Sequence, residues 1–157
     1  MNIKIKNLKV AEFASEETLC FECSVYVDGK RAFTAHNDGR GGCNYYDPIK
    51  GQDYQVVRDA EAYAQTLPPI PPNPEWEWDT TGLDYDLDLL IGDLVTKMQD
   101  EKEVKSKCRK WIVLRDKNAS DNILYDCVIK QKFVPERHTK ALQEKYPDDE
   151  IVNLRYL

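Results

Sequence analysis

Residues 36 to 48, HNDGRGGCNYYDP, gather more chemically versatile side chains than any other stretch of the chain: three glycines, Arg40, Cys43, His36 and two tyrosines. Gly39, Gly41 and Gly42 permit positive φ and a close backbone approach, so successive N–H groups could line a nest for an anion with Arg40 beside it. Tyr45 and Tyr46 would add a stacking face, and Asn37 and Asn44 further polar contacts. The competing expectation is plainer. Asn37-Asp38-Gly39 is an ordinary turn, and glycines absorb a change of direction as the chain leaves a strand before Pro48. The turn is the preferred reading, with the loop presenting Arg40 and its tyrosines to a ligand or partner.

Other candidate chemistries fail on spacing. Cys20-Phe21-Glu22-Cys23 lies within an alternating strand pattern, whereas a zinc knuckle needs both thiolates converging from a tight turn. A redox pair would want a helix N-terminus, which this stretch lacks. Asp84-Tyr85-Asp86-Leu87-Asp88 suggests calcium, but an EF-hand loop starting at Asp84 requires Gly at 89 and Glu at 95, where Leu89 and Val95 stand. Asp84 and Asp88, four apart on a predicted helix, are read as a solvated face matched to the helix dipole. Two histidines, His36 and His138, leave little for acid–base catalysis, and Cys43 has no recognisable nucleophile signature. There is no G-x-S-x-G elbow, no phosphate-binding G-x-x-x-x-G-K-[ST] and no aromatic–basic nucleic-acid motif. No catalytic residue, metal or cofactor is therefore assigned.

The composition is that of a chain able to fold without staples. It has 157 residues, 41% hydrophobic and 32% charged, with no apolar run long enough for a membrane span. Five cysteines are an odd set, read as free thiols in a reducing cytoplasm, and nothing at the N-terminus resembles a signal peptide. A net charge of −6 argues against direct nucleic-acid binding. The charge is uneven: residues 75 to 93 carry seven acids and no base, whereas 97 to 110 carry six bases and three acids. The acidic segment, with Trp76 and Trp78 beside Asp84 and Asp86, has the make-up of a protein-binding hot spot with a charged rim.

The elements that must position these residues read as a single α+β domain, 1–157. Ile3, Ile5, Leu8 and Val10 form a first strand with a phase slip near Asn7. TLCFECSVYV and KRAFTAH form a hairpin around Asp28-Gly29. A bulge at that corner would place Phe33 opposite Val25. Residues 53 to 67 have helical spacing with Asp53 as N-cap, and five prolines between 68 and 74 make 67–80 an extended strap. Leu83, Leu87, Leu90, Ile91, Leu94, Val95 and Met98 predict a helix over 82–107 capped by Thr80 or Thr81. KWIVLRD and NILYDCVIKQKF follow as two strands, then a short helix from Pro135 to about Tyr146, and EIVNLRYL as a last strand.

VYVDGKRAF…NDGRGGCNYYD and CRKWIVLRD…YPDDEIVNLRYL together resemble small uncharacterised proteins of bacteria and their phages, over about half the chain. The resemblance transfers no functional residue. It implies an accessory, phage-encoded cytoplasmic protein that binds and blocks a host protein, and such binding without catalysis is the expected function. An enzyme or sensor holding a nucleotide-like anion at 36–48, and a DNA mimic using the 75–93 carboxylates, are the alternatives.

Overall fold

The computed structural model of the protein describes every residue except Trp76, Trp78, Asp79, Thr80, Asp121 and Asn122. The fold is α+β, and the chain divides into two compact units, 1–96 and 97–157.

The first unit is built on an antiparallel sheet of strands β1 (Ile3–Val10), β2 (Phe21–Val27), β3 (Lys30–Asn37) and β4 (Tyr45–Pro48), in that spatial order. Asp28 and Gly29 both adopt positive φ, as a two-residue hairpin turn demands. Phe33 does sit opposite Val25, but the bulge lies beyond the turn, between the Tyr26–Arg31 and Val25–Phe33 pairs. The phase slip in β1 falls where expected: the register shifts between Lys6 and Lys9, and Asn7 has φ 55°. One sheet face buries Ile3, Ile5, Phe21, Cys23, Val25, Phe33 and Ala35. Helix α1 (Gln55–Ala64) packs on β3 and β4 and contributes Val57, Ala60 and Ala64 to the buried set. The N-cap position falls to Tyr54 rather than to the expected Asp53, which sits one residue earlier and accepts the Gln55 N–H on its Oδ1 at 2.8 Å.

Two expectations are corrected here. The chain does not simply leave the sheet after His36. Tyr45–Pro48 forms a fourth strand whose partners are His36, Ala35, Thr34 and Phe33, and Pro48 is tolerated because β4 is an edge strand. The long helix α2 (Leu87–Lys110) begins five residues later than predicted. Leu83 instead pairs with Ile70 of the proline strap through two backbone hydrogen bonds of 2.8 and 3.0 Å. The cap is Asp86, whose Oδ1 accepts the Leu89 N–H at 2.8 Å, and not Thr81; Thr80 lies outside the described residues. Within α2, Leu87 to Thr96 belong to the first unit, where Leu87, Ile91 and Val95 are buried, and Lys97 to Lys110 belong to the second.

The second unit centres on β5 (Ile112–Asp116), flanked by β6 (Cys127–Ile129) and β7 (Asp149–Ile151), all antiparallel. Ile112, Val113 and Leu114 are all buried because β5 is covered on both faces. Ile112 and Leu114 pack with Ile151 and with Leu142 of helix α3 (Pro135–Lys145). Val113 packs the other way, with Val104 and Val152. Of NILYDCVIKQKF only Cys127–Ile129 is strand, and the last expected strand stops at Ile151, after which Val152–Tyr156 winds into a 3₁₀ turn. That turn places Asn153, 3% exposed, where its Oδ1 accepts the Val113 N–H at 2.8 Å and its Nδ2 donates to the Trp111 and Cys108 carbonyls. A continued strand could not deliver those bonds.

Candidate binding surface

In the first unit the connection between β3 and β4, residues 38 to 44, is built around Asn37. This side chain ends β3 on the buried face and is 5% exposed. Its Oδ1 accepts the Thr18 hydroxyl at 2.6 Å and the Gly39 N–H at 2.9 Å. Its Nδ2 donates to Asn44 Oδ1 at 3.1 Å and to the Gly42 carbonyl at 3.2 Å. Asn44 passes the network on, its backbone N–H donating to Asp88 Oδ2 at 3.1 Å. The Tyr46 hydroxyl donates to the other oxygen of the same carboxylate. Burial and that acceptor together hold the Tyr46 phenol well above its ordinary range, because a phenolate there would be poorly solvated and would face Asp88.

The β1–β2 connection, residues 11 to 20, locks onto this loop. The Gly39 carbonyl accepts the N–H groups of Glu16 and Glu17, both at 2.9 Å, and the Thr18 hydroxyl accepts the Gly41 N–H at 3.2 Å. Gly39 has φ +81°, and a Cβ there would lie 2.1 Å from the Ala14 carbonyl oxygen. Only glycine lets the two loops touch at this point.

This geometry bears on the two sequence expectations for 36–48. An anion nest must present successive amides outward. Here the Gly39 and Gly41 amides are spent on Asn37 and Thr18, and the Glu17 carboxylate lies beside Gly41, where it would repel an anion. The glycines make a turn and a loop-to-loop contact.

The predicted site residues therefore separate into two groups. Asn37, Asn44 and Tyr46 face inward as framework; Tyr46 is half-buried and packs edge-on to Phe33, with ring centroids 5.8 Å apart. Arg40, Gly42 and Tyr45 are exposed, with Gly41 half-buried between them. Tyr45 stacks on His36 at 5.1 Å and 19°, and His36 lies 3.6 Å from the Asp47 carboxylate. Asp84 is exposed and precedes α2, so it shares no helix face with Asp88, contrary to expectation. Asp86, half-buried, is committed to capping. Trp76 and Trp78 lie outside the described residues. The loop and the acidic segment do meet: Asn37, Asn44, Phe21, Leu83, Asp86 and Asp88 line part of a cleft of about 430 Å³.

Of the remaining candidates, Cys23 faces the core, where burial pushes its thiol up to about 11, away from nucleophilic use. His138 Nδ1 accepts the Val134 N–H at 3.0 Å, a structural bond at the start of α3. Sequence reading missed Thr18, which hydrogen-bonds across to the glycine loop, and Phe13, which is 95% exposed. Thr18 carried no local signal, since its partner is nineteen positions away. Phe13 did carry one, an apolar residue isolated among Ala and Glu in AEFASEE.

Compared with protein-family models, curated proteins and solved structures, the chain finds no match.

Proposed function

We propose that the protein acts by binding another protein, without catalysis, through the end of its first unit that carries the 36–48 loop. The observation that supports this most is the division within that loop. Asn37, Asn44 and Tyr46 satisfy one another and the backbone, while Arg40 and Tyr45 are left exposed on the frame they build. A preordered polar and aromatic surface loses little conformational freedom when a partner covers it. Asp84 and the acidic, Trp-bearing segment to its N-terminal side complete the proposed surface. In the setting that the resemblance implies, the partner is a protein of a bacterial host and binding inhibits it. Anion binding at the loop has less support because the Gly39 and Gly41 amides are engaged, and a DNA mimic has less because Asp86 and Asp88 already accept internal hydrogen bonds.

The test is affinity capture with the tagged full chain from the source cells, beside an Arg40→Ala/Tyr45→Ala variant and an Asp84→Lys/Trp76→Ala variant. A specific protein recovered by the parent and lost by either variant, with melting temperature unchanged, supports the reading. Equal recovery by all three sinks it.

A further inference from the structure

Phe13 is the most exposed large hydrophobic side chain among the described residues, at 95%, against 78% for Leu157 and 58% for Tyr45. It lies in a 3₁₀ turn, Glu12–Ala14, of the β1–β2 connection. That connection does not need Phe13 to hold its shape. It is closed at its base by the Ala11 N–H on the Cys20 carbonyl at 2.9 Å, and braced inside by Ser15, whose Oγ donates to the Ala11 carbonyl and accepts the Cys20 N–H. Its far side is tied to the Gly39 carbonyl. An aromatic ring in water forfeits the roughly 1.5–3 kcal/mol that burial of such a side chain is worth. Here it does so on a loop already fixed in place.

We infer that Phe13 is the anchor of a protein–protein interface, inserting into an apolar pocket whose rim is basic. The inference rests on the protein-binding reading and names the partner's chemistry. The rim follows from the charges of the two loops tied together at Gly39, one of which carries the ring. Residues 11 to 20 and 38 to 44 carry the acids Glu12, Glu16, Glu17 and Asp38, all exposed, against one base, Arg40. Such a surface is repelled by an anionic membrane and attracted to Lys and Arg. A single aromatic with only two side-chain torsions, on a loop rich in charges that exclude water once paired, is the composition of an interface hot spot.

The experiment places a photo-crosslinking side chain, p-benzoylphenylalanine, at position 13, 40 or 45 of the full chain, with Lys132 as an exposed control position, in extracts of the source cells. The expected result is one protein adduct from position 13. Its crosslinked peptides should border an apolar pocket flanked by Lys or Arg, and the adduct should weaken at about 0.5 M salt and with Glu12→Lys/Glu16→Lys. With the partner purified, Phe13→Ala should weaken binding about 30-fold or more and leave the melting temperature unchanged. Adducts from 40 or 45 but none from 13 would overturn the anchor while leaving protein binding standing. No adduct from any of the three overturns both. A lipid adduct, a self-adduct or a pocket with an acidic rim overturns the partner assigned here.

Discussion

Tyr46 reports on the framework residue by residue, because its hydroxyl hydrogen is committed to Asp88 and its ring to Phe33. Tyr46→Phe keeps the packing and removes the hydroxyl that donates to Asp88 and accepts from Asn44 Nδ2, so it should cost about 1–2 kcal/mol at pH 7 in urea unfolding. The pH dependence has a definite sign. The phenol ionises more readily unfolded, near pH 10, than folded. Its stabilising contribution is therefore complete below about pH 10 and declines as pH rises through and beyond that value. The stability gap between the parent and Tyr46→Phe should narrow between about pH 10 and 11; a constant gap would show that Tyr46 ionises no differently in the folded protein. None of this was legible in NYYDP. Two adjacent tyrosines on a strand point to opposite faces, but without knowing that β4 exists there is no face to assign.

At the level of elements, the loop pair makes a differential prediction. Gly39→Ala must relieve a 2.1 Å clash with the Ala14 carbonyl as well as adopt positive φ, whereas Gly42, at φ +85°, has nothing within 4 Å of an added Cβ. Gly42→Ala should cost about 1–2 kcal/mol from the backbone alone, and Gly39→Ala clearly more, by thermal or chemical unfolding. Equal losses would mean the two loops are not pressed together at Gly39. The start of α2 gives a second pair. Asp86→Ala should cost about 1 kcal/mol as a lost N-cap, while Asp84→Ala should stay within about 0.5 kcal/mol of the parent. Asp84 is thus the clean probe for binding and Asp86 is not. Periodicity found the hairpin and α2, Pro135 marked the start of α3, and a proposed bulge gave the pairing of Phe33 with Val25; these signals are local. It misplaced the beginning of α2 because Leu83 falls in phase with Leu87, although its backbone partner is Ile70, thirteen positions back. It missed β4 because four residues ending in proline carry too little alternation to register.

At the scale of the whole molecule, among the described residues each unit holds one deeply buried asparagine that organises backbone from distant positions, Asn37 in the first and Asn153 in the second. Neither announces itself in sequence, since an asparagine near glycines reads as a turn and one in EIVNLRYL reads as the outward residue of a strand. Asn153→Ala would leave the buried Val113 N–H and the carbonyls of Trp111 and Cys108 to find other partners, at a cost of about 2–4 kcal/mol. Hydrogen exchange should then quicken first at Val113 and its neighbours in β5; unchanged protection there would remove Asn153 from that role. The fold class could be read from the chain because each unit's strands and helices carry their own pattern. The surface could not, because it depends on which side of a loop each polar residue takes.

The cross-tied loops at Gly39 have a consequence for how this protein can change. Folding rests on Thr18, Asn37, Gly39 and Asn44, whereas Phe13, Glu16 and Arg40 contribute almost nothing to it. Sequence variation at the second group is therefore nearly free of structural cost, so a library randomised at positions 13, 16 and 40 should remain largely folded. If the protein-binding reading proposed above holds, the same backbone could then be retargeted from one partner to another by a few substitutions, without rebuilding the domain.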